Sequence, residues 1–171
     1  IGVGQVLGPQ GLAVDGNFQL FVADATGSRI LRIKNANTVT SSTSGTIIAV
    51  DGTTTNRVRN PQGVAVDTAG TLFIADTGNS RILRFVNASS ASSSALALSG
   101  TQLGKVNKPE GITVKVFQSG PLAGGPFLVV SDTGNNRIQG RLVASEPWAL
   151  VGAPNGSGTG SGQFKSPSKL Q

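Results

Sequence analysis

Three aspartates are each followed by an arginine five positions later, and these are the side chains whose spacing most suggests chemistry. The pairs are Asp24 with Arg29, Asp76 with Arg81, and Asp132 with Arg137. A repeated carboxylate could bind Ca²⁺, but that ion takes about six to eight oxygen ligands and each copy offers one carboxylate locally. The spacing instead predicts a structural turn, in which the carboxylate accepts backbone N–H groups of the turn and pairs with an arginine of its own or an adjacent repeat, while a nearby glycine supplies the positive φ.

The residue types needed for most catalysis are missing. The chain has no His, no Cys and no Tyr, so it lacks the usual general base, thiolate nucleophile and zinc ligands. Serine and threonine are abundant, but no base is present to activate them. We therefore expect no catalytic site, no metal and no cofactor in this chain.

Basic residues are the second group whose type and placement suggest a chemical role. The net charge is +6 and the sequence pI is about 10.6. Part of the excess positive charge is concentrated in short polar segments. The basic residues of these segments are Arg57, Arg59, Lys105, Lys108 and Lys165, and the nearby acidic residues are Asp51 and Glu110. A surface of this kind attracts anionic partners through long-range electrostatics; the alternative is that the charge serves solubility alone. Nucleic-acid binding would normally add exposed aromatic residues, and the chain has seven Phe, most of them in apolar segments, one Trp and no Tyr.

The elements that position these residues come from an internal repeat. Pro9-Gln-Gly-Leu-Ala-Val-Asp15 recurs from Pro61 and, less faithfully, from Pro109. Each copy continues with an apolar segment that ends in the Asp, a segment that begins with the Arg, and a last apolar segment before a Gly. Successive starting prolines lie 52, 48 and 58 residues apart, counting Pro167, and a period of this size is typical of propeller blades.

Four short segments per copy predict four strands, a to d. Strands a and b are almost continuously apolar, as expected of strands buried on both faces between neighbouring blades. The sequence therefore predicts an all-β protein, a partial β-propeller of three four-stranded antiparallel blades at about 9–52, 61–100 and 109–152, with 1–8 and 153–171 as connectors. A two-sheet sandwich is the second choice, because its strands should alternate more cleanly.

The segment from Leu72 to Ile82, together with the preceding Pro-Gln-Gly-Val-Ala-Val-Asp, resembles the NHL-repeat β-propellers. The resemblance extends over nearly the whole chain and implies a ring of about six blades. It leaves function open, because such propellers bind RNA, dock proteins, sense ligands or carry lyase and hydrolase sites. The metal ligands of the enzymatic relatives have no matching residues here.

Two of the three copies depart from the repeat. The first copy has its turn glycine, Gly27, one residue later than the others. The third has Lys115 in place of the strand-a Asp, Gly140 in place of a strand-c Arg, and extra residues near 119–125, for which we expect a distorted a-to-b loop.

Three blades cannot close a ring. Gly4-Gln5 before Pro9 matches Gly162-Gln163 before Pro167, so both ends lie at the same phase of the repeat. The sequence predicts either a piece of a longer propeller or two copies that self-associate head to tail into a six-bladed ring.

The favoured hypothesis is a non-enzymatic scaffold that presents propeller loops to a protein or glycan partner outside the cell. Sequons at Asn87 and Asn155, both candidate glycosylation sites, favour that location. No apolar run is long enough to span a membrane, so membrane insertion is not expected. In a propeller the d-to-a connections and b-to-c turns share one face, which would then be basic. The alternatives are binding of RNA or another anionic polymer through that face, and a fragment of a propeller enzyme whose site lies elsewhere.

Overall fold

The protein, described by a computed structural model, consists of three consecutive sheets whose main strands are antiparallel. This arrangement confirms the predicted all-β fold and partial propeller. The structure describes residues 5–38, 45–54, 56–86, 93–120, 125–144, 147–151, 158, 161 and 163–170. Blade 1 contains strands β1 (Pro9–Val14), β2 (Leu20–Asp24), β3 (Arg29–Ile33), β4 (Thr46–Asp51) and β5 (Arg57–Val58). Blade 2 contains β6 (Gly63–Val66), β7 (Leu72–Asp76), β8 (Arg81–Phe85), β9 (Ser94–Ser99) and β10 (Lys105–Val106). Blade 3 contains β11 (Ile112–Val116), β12 (Pro126–Asp132), β13 (Arg137–Leu142) and β14 (Ala149–Val151).

Each blade is an antiparallel meander in which sequential strands are neighbours. In blades 1 and 2 the connection to the next blade adds a fifth, two-residue strand that runs parallel to strand d. The sequence did not indicate this addition. Short 3₁₀ helices at Thr77–Asn79 and Thr133–Asn135 form the b-to-c turns of blades 2 and 3, and another lies at Ala36–Thr38.

The core lies between the blades, because each sheet packs face to face against its neighbour. One apolar cluster joins blade 1, through Phe21 and Ile30, to blade 2, through Val64 and Ile74. A second cluster joins the opposite face of blade 2 to blade 3 and includes Phe73, Ile82, Leu128 and Trp148. All five residues of β7 are buried, as the continuous apolar run predicted for a strand covered on both faces.

Blade 3 differs from the other two around its first two strands. β12 has seven residues, whereas its counterparts have five. The ring of Phe127 lies over Gly140, where a Cβ would come within 2.6 Å of the ring, and meets Phe117 edge to face at 6.3 Å between ring centres. Gly140 therefore replaces arginine where an aromatic ring needs the space. The a-to-b loop expected to be distorted lies partly outside the described residues, at 121–124.

Candidate functional site

The three Asp–Arg pairs lie at one rim of the arc, where the b-to-c turns and the d-to-a connections meet. In blade 2, Arg81 Nε donates to Asp76 Oδ2 at 2.6 Å. The other two guanidinium nitrogens donate to three carbonyls of the preceding connection, on Thr53 (2.9 Å), Thr54 (2.8 Å) and Arg57 (2.6 Å). One arginine thus neutralises a fully buried carboxylate and fixes the path of the connection.

The Asp76 carboxylate accepts further bonds from the same connection. The backbone N–H of Arg59 donates to its Oδ1 at 2.7 Å. Asn79 Nδ2 donates to Asp76 Oδ2 at 2.9 Å and to the Gly52 carbonyl at 2.8 Å, so it ties the turn to the start of the connection. The sequence predicts backbone donors from the turn, whereas the backbone N–H bound to Asp76 comes from a residue 17 positions earlier.

Blade 3 repeats this arrangement with one addition. Arg137 Nε lies 2.7 Å from Asp132 Oδ2, and the Asn107 N–H donates to Asp132 Oδ1 at 2.7 Å. Gln139, fully buried where blades 1 and 2 have leucine, donates to Asp132 Oδ2 at 2.8 Å and accepts from the Gly104 N–H. Asp132 is therefore satisfied on both oxygens by groups of its own blade and connection.

Blade 1 builds its cluster with different donors. Arg29 Nε lies 2.8 Å from Asp24 Oδ2, and a second nitrogen of Arg29 donates to the Gln5 carbonyl. The N–H groups of Leu7 and Gly8 donate to Asp24 Oδ1 at 3.1 and 2.9 Å. The structure thus brings together all three pairs that the sequence singled out.

The expectation that glycine supplies the positive φ of these turns is wrong. The left-handed residues are Ser28 (φ 46°), Ser80 (φ 48°) and Asn136 (φ 51°). Gly78 and Gly134 are needed in the turns of blades 2 and 3 because the backbone of a d-to-a connection passes directly beside each of them. A Cβ on Gly78 would lie 2.7 Å from the Arg59 carbonyl oxygen.

Burial and hydrogen bonding together shift the pKa values of Asp24 and Asp76 in opposite directions. At Asp76 burial in the middle blade dominates and raises the pKa, despite the bonds from Arg59, Asn79 and Arg81. At Asp24 burial also acts to raise the pKa, but the donors Gly8, Arg29, Leu7 and Gly27 outweigh it, and the pKa lies below the usual value of 3.8.

Side chains of the turns also bind the connection that leads to the following blade. Ser28 Oγ and Ser80 Oγ accept from the N–H groups of Asn60 (3.2 Å) and Lys108 (3.1 Å). Thr77 Oγ1 donates to the Pro109 carbonyl at 2.6 Å. Each connection is therefore held from both sides, and the connections and turns share one rim.

The predicted basic residues all lie on these connections, and together we call them the connection face: Arg57, Arg59, Lys105, Lys108 and Lys165. Arg57, Arg59, Lys108 and Lys165 are exposed and Lys105 is half-buried. Arg59 is 3.8 Å from Asp51, but both side chains are more than half exposed (54% and 65%), so this pair is weak. The opposing Glu110 lines an inner groove of about 500 Å³ with Gln10 and Gln62.

Metal binding, glycosylation and membrane insertion were also considered from the sequence. Among the described residues no group of three or more acidic, His or Cys side chains could hold a metal ion. Asn87 and Asn155 lie outside the described residues. Within the described part of the chain, no helix is long and apolar enough to cross a membrane.

Comparison with known proteins supports the repeat and the fold. The NHL repeat family model matches residues 58–85, which contain the first three strands of blade 2, and confirms the resemblance seen in the sequence. No curated protein matches the chain by sequence.

Solved structures resemble the chain at low identity. A chain of the nidogen/laminin complex matches with 20% identity and a TM-score of 0.61, over 83% of this chain and 47% of that one. The streptogramin B lyase matches with 11% identity and a TM-score of 0.62, over 99% and 47%. The virginiamycin B lyase from Staphylococcus aureus matches with 14% identity and a TM-score of 0.59, over 91% and 45%. This chain spans less than half of the length of each, and identities this low show the fold alone.

Proposed function

We propose that this chain is part of a propeller that works as a protein-interaction module, and that the connection face binds an acidic surface of the partner protein. The observation that carries the proposal is the contrast within each connection. The backbones of the two connections between blades are held by the buried Asp–Arg clusters, whereas the side chains of Arg57, Arg59 and Lys108 on those connections are exposed.

A fixed backbone matters for binding, because segments that are already ordered lose less conformational entropy when the partner arrives. At Arg59 the N–H is bound to Asp76 and the carbonyl accepts from the Gly78 N–H at 2.9 Å, yet the side chain is 54% exposed. The Lys108 N–H donates to Ser80 Oγ at 3.1 Å, and the preceding residue, Asn107, is held as Arg59 is, by Asp132 and Gly134. Charges displayed on such a frame would steer an anionic partner and set its orientation.

The distribution of aromatic residues favours protein over RNA. The exposed phenylalanines of the described chain are Phe18 (55%) and Phe117 (38%). Both follow a strand a, so they lie at the opposite rim, with the a-to-b turns. Among the described residues the connection face therefore offers charge without the aromatic platforms on which bases stack.

Two further observations agree with a binding role. The nidogen chain that resembles this one was solved in a complex with laminin, and an extracellular partner would fit the two sequons. The three buried aspartates and their arginines are engaged in the turn clusters, which supports action without catalysis. The two lyases with the same fold leave a fragment of an enzyme as the competing hypothesis.

Fluorescence anisotropy of labelled polyglutamate, a mimic of an acidic protein segment, tests the proposal. The double reversal Arg57→Glu/Lys108→Glu should weaken binding about tenfold or more. The matched control Lys34→Glu/Lys115→Glu makes the same charge change at exposed residues near the opposite rim and should leave binding nearly unchanged.

Equal weakening by both double variants would reject the connection face. Labelled poly(U) and heparin serve as comparison ligands at the same salt concentrations. If poly(U) or heparin binds more tightly than polyglutamate and only the connection-face reversal abolishes that binding, the partner is RNA or a sulfated glycan instead.

A further inference from the structure

A small cavity lies at the junction between blades 2 and 3, beside the last strand of blade 2. It measures about 230 Å³ and is lined by Leu96, Leu103, Gly104, Lys105, Pro147 and Trp148. Both blades that form it belong to the described chain, so no further blade is needed to complete its walls. Pockets for whole small molecules measure about 300–1,000 Å³, and this smaller cavity is suited to a single side chain.

The cavity occurs at this junction because one residue of the connection lacks a side chain. Gly104 directly precedes β10 as Asn56 precedes β5, and Trp148 directly precedes β14 as Ser93 precedes β9. Between blades 1 and 2, Asn56 Oδ1 accepts from the Ser93 N–H at 2.9 Å, which links the connection to strand d. Between blades 2 and 3, Trp148 lies against Gly104, where a Cβ would lie 3.0 Å from the indole ring. This junction therefore has an aromatic wall and a cavity in place of the polar link.

The walls of the cavity are held in place by buried neighbours. The Gly104 N–H donates to Gln139 Oε1 at 2.9 Å, and the Lys105 carbonyl accepts from Gln139 Nε2 at 2.7 Å. Trp148 packs in the apolar cluster between blades 2 and 3, and the guanidinium carbon of Arg141 lies 5.6 Å from its ring centre. Because these groups are already ordered, a ligand that enters the cavity loses little affinity to their immobilisation.

The cavity combines apolar walls with one cationic group. Leu96, Leu103 and Trp148 supply the apolar surface, and Leu103 is 49% exposed. Lys105 is half-buried at the same cavity, and no carboxylate of the described residues forms an ion pair with it. The complementary ligand is therefore an apolar side chain with a carboxylate beside it.

We propose that this cavity binds an acidic segment of the partner protein through one aliphatic side chain of the size of leucine, while a neighbouring carboxylate of that segment pairs with Lys105. The inference rests on the proposed function, because Lys105 also belongs to the connection face. It adds an apolar anchor to the charges, and a buried anchor surrounded by polar contacts is the usual source of affinity in protein interfaces.

Fluorescence anisotropy of the full chain with two labelled peptides tests the inference. One is an oligoglutamate peptide with a central leucine, and the other has glutamine at that place and the same charge. We expect the leucine peptide to bind about tenfold more tightly, because one apolar side chain is buried. Leu103→Ala should remove most of this advantage. Leu98→Ala is the matched control, since Leu98 is 52% exposed and does not line the cavity.

Equal affinities of the native chain for the two peptides would overturn the inference and leave the proposed function standing, because binding of polyglutamate needs no leucine. A leucine advantage that survives Leu103→Ala, or that Leu98→Ala lowers as much, would also overturn it. Failure of the proposed function differs, since Arg57→Glu/Lys108→Glu would then leave both affinities unchanged, and the leucine advantage decides the inference by itself. Both leucines are about half exposed, and circular dichroism of the two variants excludes loss of fold as the cause.

Discussion

Replacing Arg81 with alanine tests whether the Asp–Arg clusters are structural. Arg81 Nε lies 2.6 Å from the buried Asp76 carboxylate, so its removal leaves a buried charge without a counter-ion. Such losses cost about 3–5 kcal/mol. Asp76 keeps the Arg59 N–H and the Asn79 amide as donors, so we expect the lower end, about 3 kcal/mol.

Urea unfolding followed by the fluorescence of Trp148 provides the assay. Trp148 is the one tryptophan of the chain and packs in the cluster between blades 2 and 3, so its signal reports the interface next to Arg81. Arg57→Ala is the control, because Arg57 is exposed and an exposed substitution changes stability by about 0.5 kcal/mol or less.

The cause of the loss is tested in an Asp76→Asn background. If the cost of Arg81→Ala comes from the unpaired carboxylate, that cost should fall by about 1–3 kcal/mol once the carboxylate is gone. A loss no larger than that of Arg57→Ala, or an equal loss in both backgrounds, would refute the structural role given to the pair.

Three further predictions concern the ties around the same turns. Thr77→Ala removes the donor to the next blade and should cost about 1–3 kcal/mol in urea unfolding, since a buried carbonyl loses its partner; no loss would show that the tie is dispensable. Gly78→Ala places a Cβ against the passing connection and should cost about 1–3 kcal/mol, whereas Gly16→Ala enters open space and should stay within about 0.5 kcal/mol; equal effects would contradict the close approach. The lowered pKa of Asp24 means that its contribution is complete above the unfolded value of 3.8 and is lost as the pH falls through the folded value. Melting temperatures of Asp24→Asn should therefore fall less steeply below pH 3.8 than those of the native chain, and parallel curves would disprove this.

The fold could be predicted from the sequence because each copy of the repeat contains a local motif for each of its strands. The motif that begins at Pro61 marks strand a, and the apolar run before Asp76 marks strand b. The Asp-to-Arg spacing of five also identified each pair correctly. In every blade the last residue of strand b lies opposite the first residue of strand c, as Asp76 lies opposite Arg81.

The features that the sequence did not predict depend on contacts between segments far apart in the chain. Nothing local to Asp76 shows that its backbone donor is Arg59, seventeen residues away, and the need for Gly78 becomes visible only when the connection is seen to pass beside it. Likewise, the left-handed conformation falls on Ser80, which ends the 3₁₀ turn and whose hydroxyl accepts from the Lys108 N–H of the following connection. A partial signal was present, since serine or asparagine precedes the strand-c arginine in all three copies.

Nuclear magnetic resonance mapping tests most directly the claim that the connection face is the binding surface. The ¹⁵N-labelled chain is titrated with an oligoglutamate peptide, and amide shifts are recorded residue by residue. We expect the largest shifts at 57–60, 105–108 and 165. Shifts concentrated at the a-to-b turns, 15–19 and 67–71, would place the binding surface at the opposite rim and contradict it.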